Sequence, residues 1–199
     1  MRGRSAGFTL IELLTVIMIV AVLAGLAVPE FNNTLSARRV QASASALSHG
    51  LKAAQTEAIR RNRTVELIFT NAEPLRSNTV SAAPVSSASA SGWIARTIDP
   101  ANDDDFVAGG RISEGGPTTV TVADPTTAVG FTAMGRPVNR TTLPQVALAQ
   151  PVVFRVTDTG SSRRMCVSLS TGGAVRVCDP QRPAGSAAAC EPMLPPGAC

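Results

Sequence analysis

FTLIELLTVIMIVAVLAGLAV, residues 8–28, is an unbroken run of mostly apolar residues carrying a single charge, Glu12. As a helix rising 1.5 Å per residue it would reach ~30 Å, the thickness of a bilayer's hydrocarbon core. The stretch reads as a membrane helix, and its carboxylate is the anomaly. An ionised acid inside such a helix costs about 2.5–3.5 kcal/mol even on insertion scales, so it calls for a partner. No Lys, Arg or His stands on the same span. A cut between Gly7 and Phe8 would create one: a cationic amine four residues from Glu12, able in a helical stack to neutralise a neighbour's carboxylate.

In front of the run stands a polar leader, MRGRSAG, residues 1–7. Arg2 and Arg4 place it on the cytoplasmic side by the positive-inside rule, so the chain after Val28 extends outside the cytoplasm. A secretory signal has an apolar core of only about 7–15 residues and then a small-residue cleavage site. This run is longer and passes into a helical pattern.

Pro29 and Glu30 end the apolar run without ending the helix, and a proline inside a helix kinks it. Beyond them Val40, Ala44, Leu47, Leu51, Ala54 and Ala58 recur every three or four residues, an apolar stripe along one helical face. Arg38, Arg39, Lys52 and Arg60 fall off the stripe. One helix from about Thr9 to Arg63 is expected, half in the membrane and half packed on a domain. Arg60, Arg61 and Arg63 suit its negative C-terminal end.

From Thr64 the period changes to two. TVELIFT (64–70), GWIART (92–97), TTVTVA (118–123), residues 129–132, VVFRVT (152–157), 165–169 and 174–178 read as short strands punctuated by Gly and Pro. Aromatic residues are scarce at 4%, so the core is largely aliphatic, with Trp93 as an anchor. The Ser/Ala/Asn-rich segment 75–91 reads as a mobile surface loop, and Gly109-Gly110 and Gly115-Gly116 as turns. The acidic turn Asn102-Asp103-Asp104-Asp105 reads as solvated. A calcium loop there would need a bidentate Glu at loop spacing, which is missing.

The last hairpin can be registered. A three-residue turn at Thr171-Gly172-Gly173 sets Val167 opposite Val177 and Leu169 opposite Val175, facing a core. The same register puts Cys166 opposite Cys178 on the outer face, beside Arg164, Arg176, Ser168 and Ser170. All four cysteines lie in the last 34 residues, and in an exported chain disulfides are the default. Zinc spacing is wrong, and the single histidine, His49, is remote in sequence. Opposed cysteines at a non-hydrogen-bonded pair are close enough to bridge. The expected bonds are Cys166–Cys178 and, by elimination, Cys190–Cys199 clipping the Pro-rich tail.

The net charge of +4 falls to +2 if Arg2 and Arg4 leave with the leader, so charge alone does not argue for nucleic acid. Enzyme chemistry finds no foothold either. His49 stands apart on the helix, no Ser sits in a nucleophile-elbow context, and no phosphate-binding Gly loop follows a strand. No cofactor or metal is implied.

Gly7-Phe8-Thr9-Leu10-Ile11-Glu12 followed by a long apolar helix resembles the class III signal of type IV pilins and type II secretion pseudopilins. The resemblance implies cleavage after Gly7 by a prepilin peptidase, N-methylation of Phe8, a helix bend near Pro29, and a role for Glu12 in assembly. AAQTEAIRRNRTVELIF (53–69) is similar to the helix-to-first-strand junction of the FimT/FimU/GspH family of minor pilins and pseudopilins. Later landmarks are Gly92-Trp93-Ile94, Val129-Gly130-Phe131 with Gly135-Arg136, and Val175-Arg176-Val177-Cys178-Asp179-Pro180. The implied fold class is α+β and pilin-like, a long N-terminal helix (membrane half plus amphipathic half) packed on a small antiparallel β-rich head. The domains run 1–7 leader, 8–28 transmembrane and assembly helix, 29–63 amphipathic continuation, 64–182 head and 183–199 disulfide-clipped tail.

The function the resemblance implies is that of a minor subunit priming or capping a type IV pilus or a type II secretion pseudopilus. The bacterial inner membrane holds it with the head in the periplasm, and other pilins or pseudopilins are partners through the helix. Some FimT-like members bind DNA through a C-terminal Gly-Arg-x-Arg motif. Here Gly173-Ala174-Val175-Arg176 lacks the first arginine, and losing one phosphate contact weakens such binding. A pilus-tip DNA receptor is the alternative, with Arg163, Arg164, Arg176 and Arg182 as its candidate contacts.

Overall fold

The computed structural model describes residues 9–98, 101–112, 118–122, 128–139, 146–190, 194 and 199, with the side chains of 26–30, 103 and 122 outside that description. The leader, Phe8 and Gly115-Gly116 fall outside it too. One helix, α1, spans Leu10–Arg61 and continues through Pro29. Within it the chain divides into two compact units, Met1–Leu35 and Ser36–Cys199.

In the first unit the helix carries its large apolar side chains in the open, from 49% exposure at Leu14 to 80% at Leu10. Among the described residues of this unit nothing else covers them. No helix among the described residues is long and apolar enough to cross a membrane. The described side chains of the run stop at Gly25, before its end at Val28.

In the second unit the expected stripe is the buried face. Val40, Ala44, Leu47, Leu51, Ala54 and Ala58 are all buried, while Arg38, Lys52 and Arg60 remain exposed and Arg39 is half-buried. The helix stops in a Schellman motif. Asn62, at φ 51°, donates its N–H to the Ile59 carbonyl, and the Arg63 N–H reaches back to that of Ala58, both at 3.2 Å. Asn tolerates the left-handed conformation such an ending requires.

Two antiparallel sheets complete the unit. The first has the strand order β3-β2-β1-β5-β6-β7, from β1 (Val65–Thr70), β2 (Gly92–Thr97), β3 (Phe106–Arg111), β5 (Ala128–Phe131), β6 (Pro137–Asn139) and β7 (Val146–Ala147). The second has the order β10-β9-β8-β4, from β4 (Thr118–Val122), β8 (Val152–Asp158), β9 (Arg164–Leu169) and β10 (Val175–Cys178). The helical stripe shares one core with Leu67, Phe69 and Phe131 of the first sheet and Phe154, Val167 and Leu169 of the second. Phe69 and Phe154 meet with ring centroids 5.8 Å apart. Trp93 is a core anchor, inserted between α1 and β3. A Cβ on Gly50 would come within 2.4 Å of its ring, and one on Gly110 within 2.7 Å.

The seven strands read from the sequence are present to within a residue at each end; β3, β6 and β7 were not expected. Gly109-Gly110 is no turn but the middle of β3, opposite Ile94 and Trp93. Glycine stands there because the Trp93 ring and the Pro74 carbonyl occupy the space a side chain would need.

The segment 75–91 is a surface loop that is tied to the first sheet. Arg96, directly opposite Glu66 in the β1–β2 ladder, bonds it at 3.1 Å and donates to the carbonyls of Thr79 (2.6 Å) and Ala82 (3.0 Å). Both side chains of the pair are under 10% exposed. Ala82 is thereby held on Ile68, Ile94 and Ala128, closing the outer face of the first sheet.

Candidate functional site

The start of α1 is the first candidate. Thr9 caps it: its hydroxyl accepts the N–H of Glu12 (3.3 Å), and its carbonyl accepts that of Leu13 (3.2 Å). Thr9-Leu10-Ile11-Glu12 thus has the spacing of a capping box, with Glu12 at the third helical position. The acid stands where the helix dipole favours negative charge. Its side chain is exposed, and the Thr15 hydroxyl donates to its carbonyl at 2.9 Å. The same T-x-x-E spacing stands in the sequence, where the acid also reads as an intermolecular contact. Gly7 and Phe8 lie outside the described residues, as does the Pro29 side chain.

The second candidate is the outer face of the second sheet. The hairpin register is as expected: Val167 faces Val177, Leu169 faces Val175 and Cys166 faces Cys178. Gly173, at φ 90°, closes the turn, with its N–H on the Ser170 carbonyl (2.9 Å). The pairing of cysteines is different. Cys166 bonds Cys199 and Cys178 bonds Cys190, in place of Cys166–Cys178 and Cys190–Cys199.

The ladder phase differs from the expected one as well. The Ser170 N–H donates to the Ala174 carbonyl (3.0 Å), so alternate pairs from there, Ser168 with Arg176 and Cys166 with Cys178, are hydrogen-bonded pairs. Cα atoms of such pairs stand ~5.5 Å apart, within the span of a disulfide, so spacing along the ladder does not itself decide the pairing. Each strand cysteine instead takes one from the tail. The outer face is consequently not open: Val153, Cys166, Cys178, Cys190 and Leu194 form a small second core with Cys199 against it.

The four candidate arginines divide into two pairs. Arg163 donates to the buried Asp179 carboxylate at 3.0 Å, and Arg182 approaches the same oxygen at 3.9 Å. Both are therefore engaged in anchoring the stretch that follows β10. Arg164 and Arg176 are exposed on the sheet's outer face. Arg176 borders an open cavity of about 380 Å³, lined also by Pro151, Ser168, Ser170, Ala174 and Leu194.

The acidic turn is structural in its contacts. Asp105 accepts the N–H of Ala101 (2.8 Å) and lies 3.8 Å from the Arg63 guanidinium, while Asp104 pairs with Arg76 at 2.8 Å. The neighbouring Thr97 hydroxyl and the Ala101 amide hold the Asp105 carboxyl below its ordinary value. Among the described residues the one cluster of metal-ligand type is Cys166, Cys190 and Cys199, whose sulfurs are already in disulfides. His49 is exposed on α1, in a shallow depression with Lys52 and Thr56.

Comparison with known proteins bears on both candidates. Residues 43–173 match the type II transport protein GspH family, and residues 2–28 match the prokaryotic N-terminal methylation motif. No curated protein matches the chain. A crystal structure of the type IV minor pilin FimU of Pseudomonas aeruginosa PAO1 is similar, at 15% identity and TM-score 0.51, over 75% of this chain and 95% of that one. The minor pseudopilin EpsH from the type 2 secretion system of Vibrio cholerae also matches, at 12% identity and TM-score 0.46, over 72% and 99%. The FimU likeness is one of fold, a long N-terminal helix with an antiparallel β-rich head. With the family match extending over well more than half of its length, the chain belongs to the GspH family of type II transport proteins and opens on the N-terminal methylation motif.

Proposed function

We propose that this chain is a minor subunit that primes or caps a type II secretion pseudopilus or a type IV pilus. A prepilin peptidase cuts after Gly7, Phe8 becomes the N-methylated end, and the apolar helix stores the subunit in the inner membrane with its head in the periplasm. During assembly Glu12 pairs with a neighbour's terminal amine and sets the axial register. The observation that carries this reading is the first helical unit, whose apolar side chains are exposed from Leu10 to Leu23 around one acid in the first turn. Burying a side chain of that kind is worth about 1.5–3 kcal/mol, so such a surface is suited to lipid or to the helices of sister subunits. No catalytic step beyond maturation is required of it.

Replacing Glu12 with Ala in the full chain tests the reading. Membrane fractionation should find the variant inserted as before, while sheared filaments should lose it. Incorporation at the normal level would refute the role. The second reading, a DNA receptor, draws on the exposed Arg164 and Arg176. It is weakened by Arg163 and Arg182, whose charge faces Asp179. Retarded DNA at low salt, lost on substituting Arg164 and Arg176 together, would favour it.

A further inference from the structure

Strand β3 is an open edge of the first sheet. Among the described residues only β2 pairs with it. The Ile112 N–H donates to the Ser91 carbonyl at 3.0 Å, one step past the Gly92–Arg111 pair. Hydrogen-bonded and non-hydrogen-bonded pairs alternate along an antiparallel ladder. Gly110 therefore exchanges bonds with Trp93, while the N–H and C=O of Gly109 and Arg111 point away from β2. Both residues are exposed there. The register shift near Arg96 is confined to the start of β3, where Arg61 already donates to the Phe106 carbonyl (3.5 Å). From Ala108 to Arg111 the edge is regular, and neither proline nor lysine blunts it. It is also the longest of the four sheet edges, at six residues against five in β4, four in β10 and two in β7.

Beside this edge runs α1. Val107 and the helical residues His49, Lys52, Ala53, Thr56 and Glu57 line an open depression of about 490 Å³. The described carboxylates around it are already matched: Glu57 by Arg60 and Arg61, Glu73 by Arg111, Asp104 by Arg76 and Asp105 by Arg63. Lys52, exposed on the wall of the depression, pairs with no carboxylate among the described residues.

We propose that this edge docks an extended segment of a partner protein, which adds to the first sheet beside β3 and sets an acidic side chain against Lys52. Main-chain bonds to Gly109 and Arg111 hold the segment, and the alternation of its side chains turns every second one toward the depression. A second copy of this chain fits less well. Its own edge strand, FVAGGR, would bring Arg111 and no acid to Lys52.

The test uses the full chain in detergent and two short peptides, one alternating valine with glutamate and the other valine with lysine. Amide exchange read by NMR should find the N–H groups of Gly109 and Arg111 unprotected in the free chain and slowed by the glutamate peptide. Lys52→Glu should weaken that peptide about fivefold, as the loss of one exposed ion pair allows, and should favour the lysine peptide instead. Arg111→Pro removes an edge N–H without touching the ladder to β2 and should abolish binding. Arg111→Ala keeps that N–H, loses only the exposed pair with Glu73, and should bind as the native chain does. Fluorescence of Trp93, whose ring lies against Gly110, checks that the proline variant keeps its core. Binding that survives Arg111→Pro, or that ignores the sign of the peptide's charge, would overturn the proposal. So would amides that exchange freely with peptide present, or that are protected before any is added. A dimer of the free chain that Arg111→Pro dissociates would give the edge to a second copy instead.

Discussion

The two sheets of the head face the same problem and solve it differently. Each presents its inner face to the shared core and needs a cover for its outer one. On the first sheet the cover is the segment 71–91, held by a buried ion pair whose arginine also grips two of its carbonyls. On the second it is the tail, held by two disulfides over a smaller apolar patch. Charge fixes one cover and sulfur the other. The first should therefore respond to substitutions, the second to reductants, each without the other being disturbed first.

The largest effect is expected at Arg96. Replacing it with Ala leaves Glu66 buried without its cation and two loop carbonyls without their donor, a loss of about 3–5 kcal/mol for a broken buried pair. Urea unfolding of the head should show it. A double variant, Glu66→Leu with Arg96→Met, should recover most of that loss, because an apolar pair of similar volume is often as stable as a buried ion pair. If the single variant is nearly neutral, the first cover is not held by charge.

Next comes the Cys178–Cys190 bond, which closes a loop with a sequence separation of 12. Replacing both cysteines with Ser should cost about 3 kcal/mol on the chain-entropy account. Proteolysis should then cut within 180–190 while the segment 71–91 stays protected. Cleavage of both covers at equal rates would show that the two faces are not independent.

How far this contrast could be read from the sequence depended on how local its causes are. The stripe from Val40 to Ala58 is periodic, so helix, face and burial followed from spacing alone. The hairpin register followed from the turn at Gly172-Gly173. The cysteine pairing did not, because it depends on where a tail folds back from more than ten residues away. Arg96 was missed for a similar reason. It reads as one more residue of GWIART, and the carbonyls it binds leave no side-chain signature. The glycines of β3 looked like turn formers because nothing in the sequence reveals that a tryptophan ring passes over one of them. At the helix start, Thr9 and Glu12 are legible both as a cap and as a pilin-like signal, because one spacing serves both.

The smallest effect sharpens the contrast through pH. Glu57, one turn before the end of α1, is bonded by Arg60 and also by Arg61, and Arg61 in turn donates to the Asp104 carbonyl at 2.9 Å just before β3. The Arg60 hydrogen bond is the main reason the Glu57 carboxyl is pulled down from 4.5 to about 2. A depressed carboxyl stabilises the fold above its unfolded value and loses that contribution as pH falls toward the folded one, here between about 4.5 and 2. The full shift would correspond to roughly 3 kcal/mol, but the Arg60 side chain is 67% exposed, and solvent screening reduces the expectation to about 1 kcal/mol. Melting temperature should therefore drop over that range in the native chain and drop less in Glu57→Gln. Because Arg61 also ties the helix end to the entry of the first sheet, hydrogen exchange at low pH should rise near β3 before it rises in the disulfide-held β9–β10 hairpin. A hairpin that loosens first in acid would mean that sulfur, and not charge, guards the weaker side of the head.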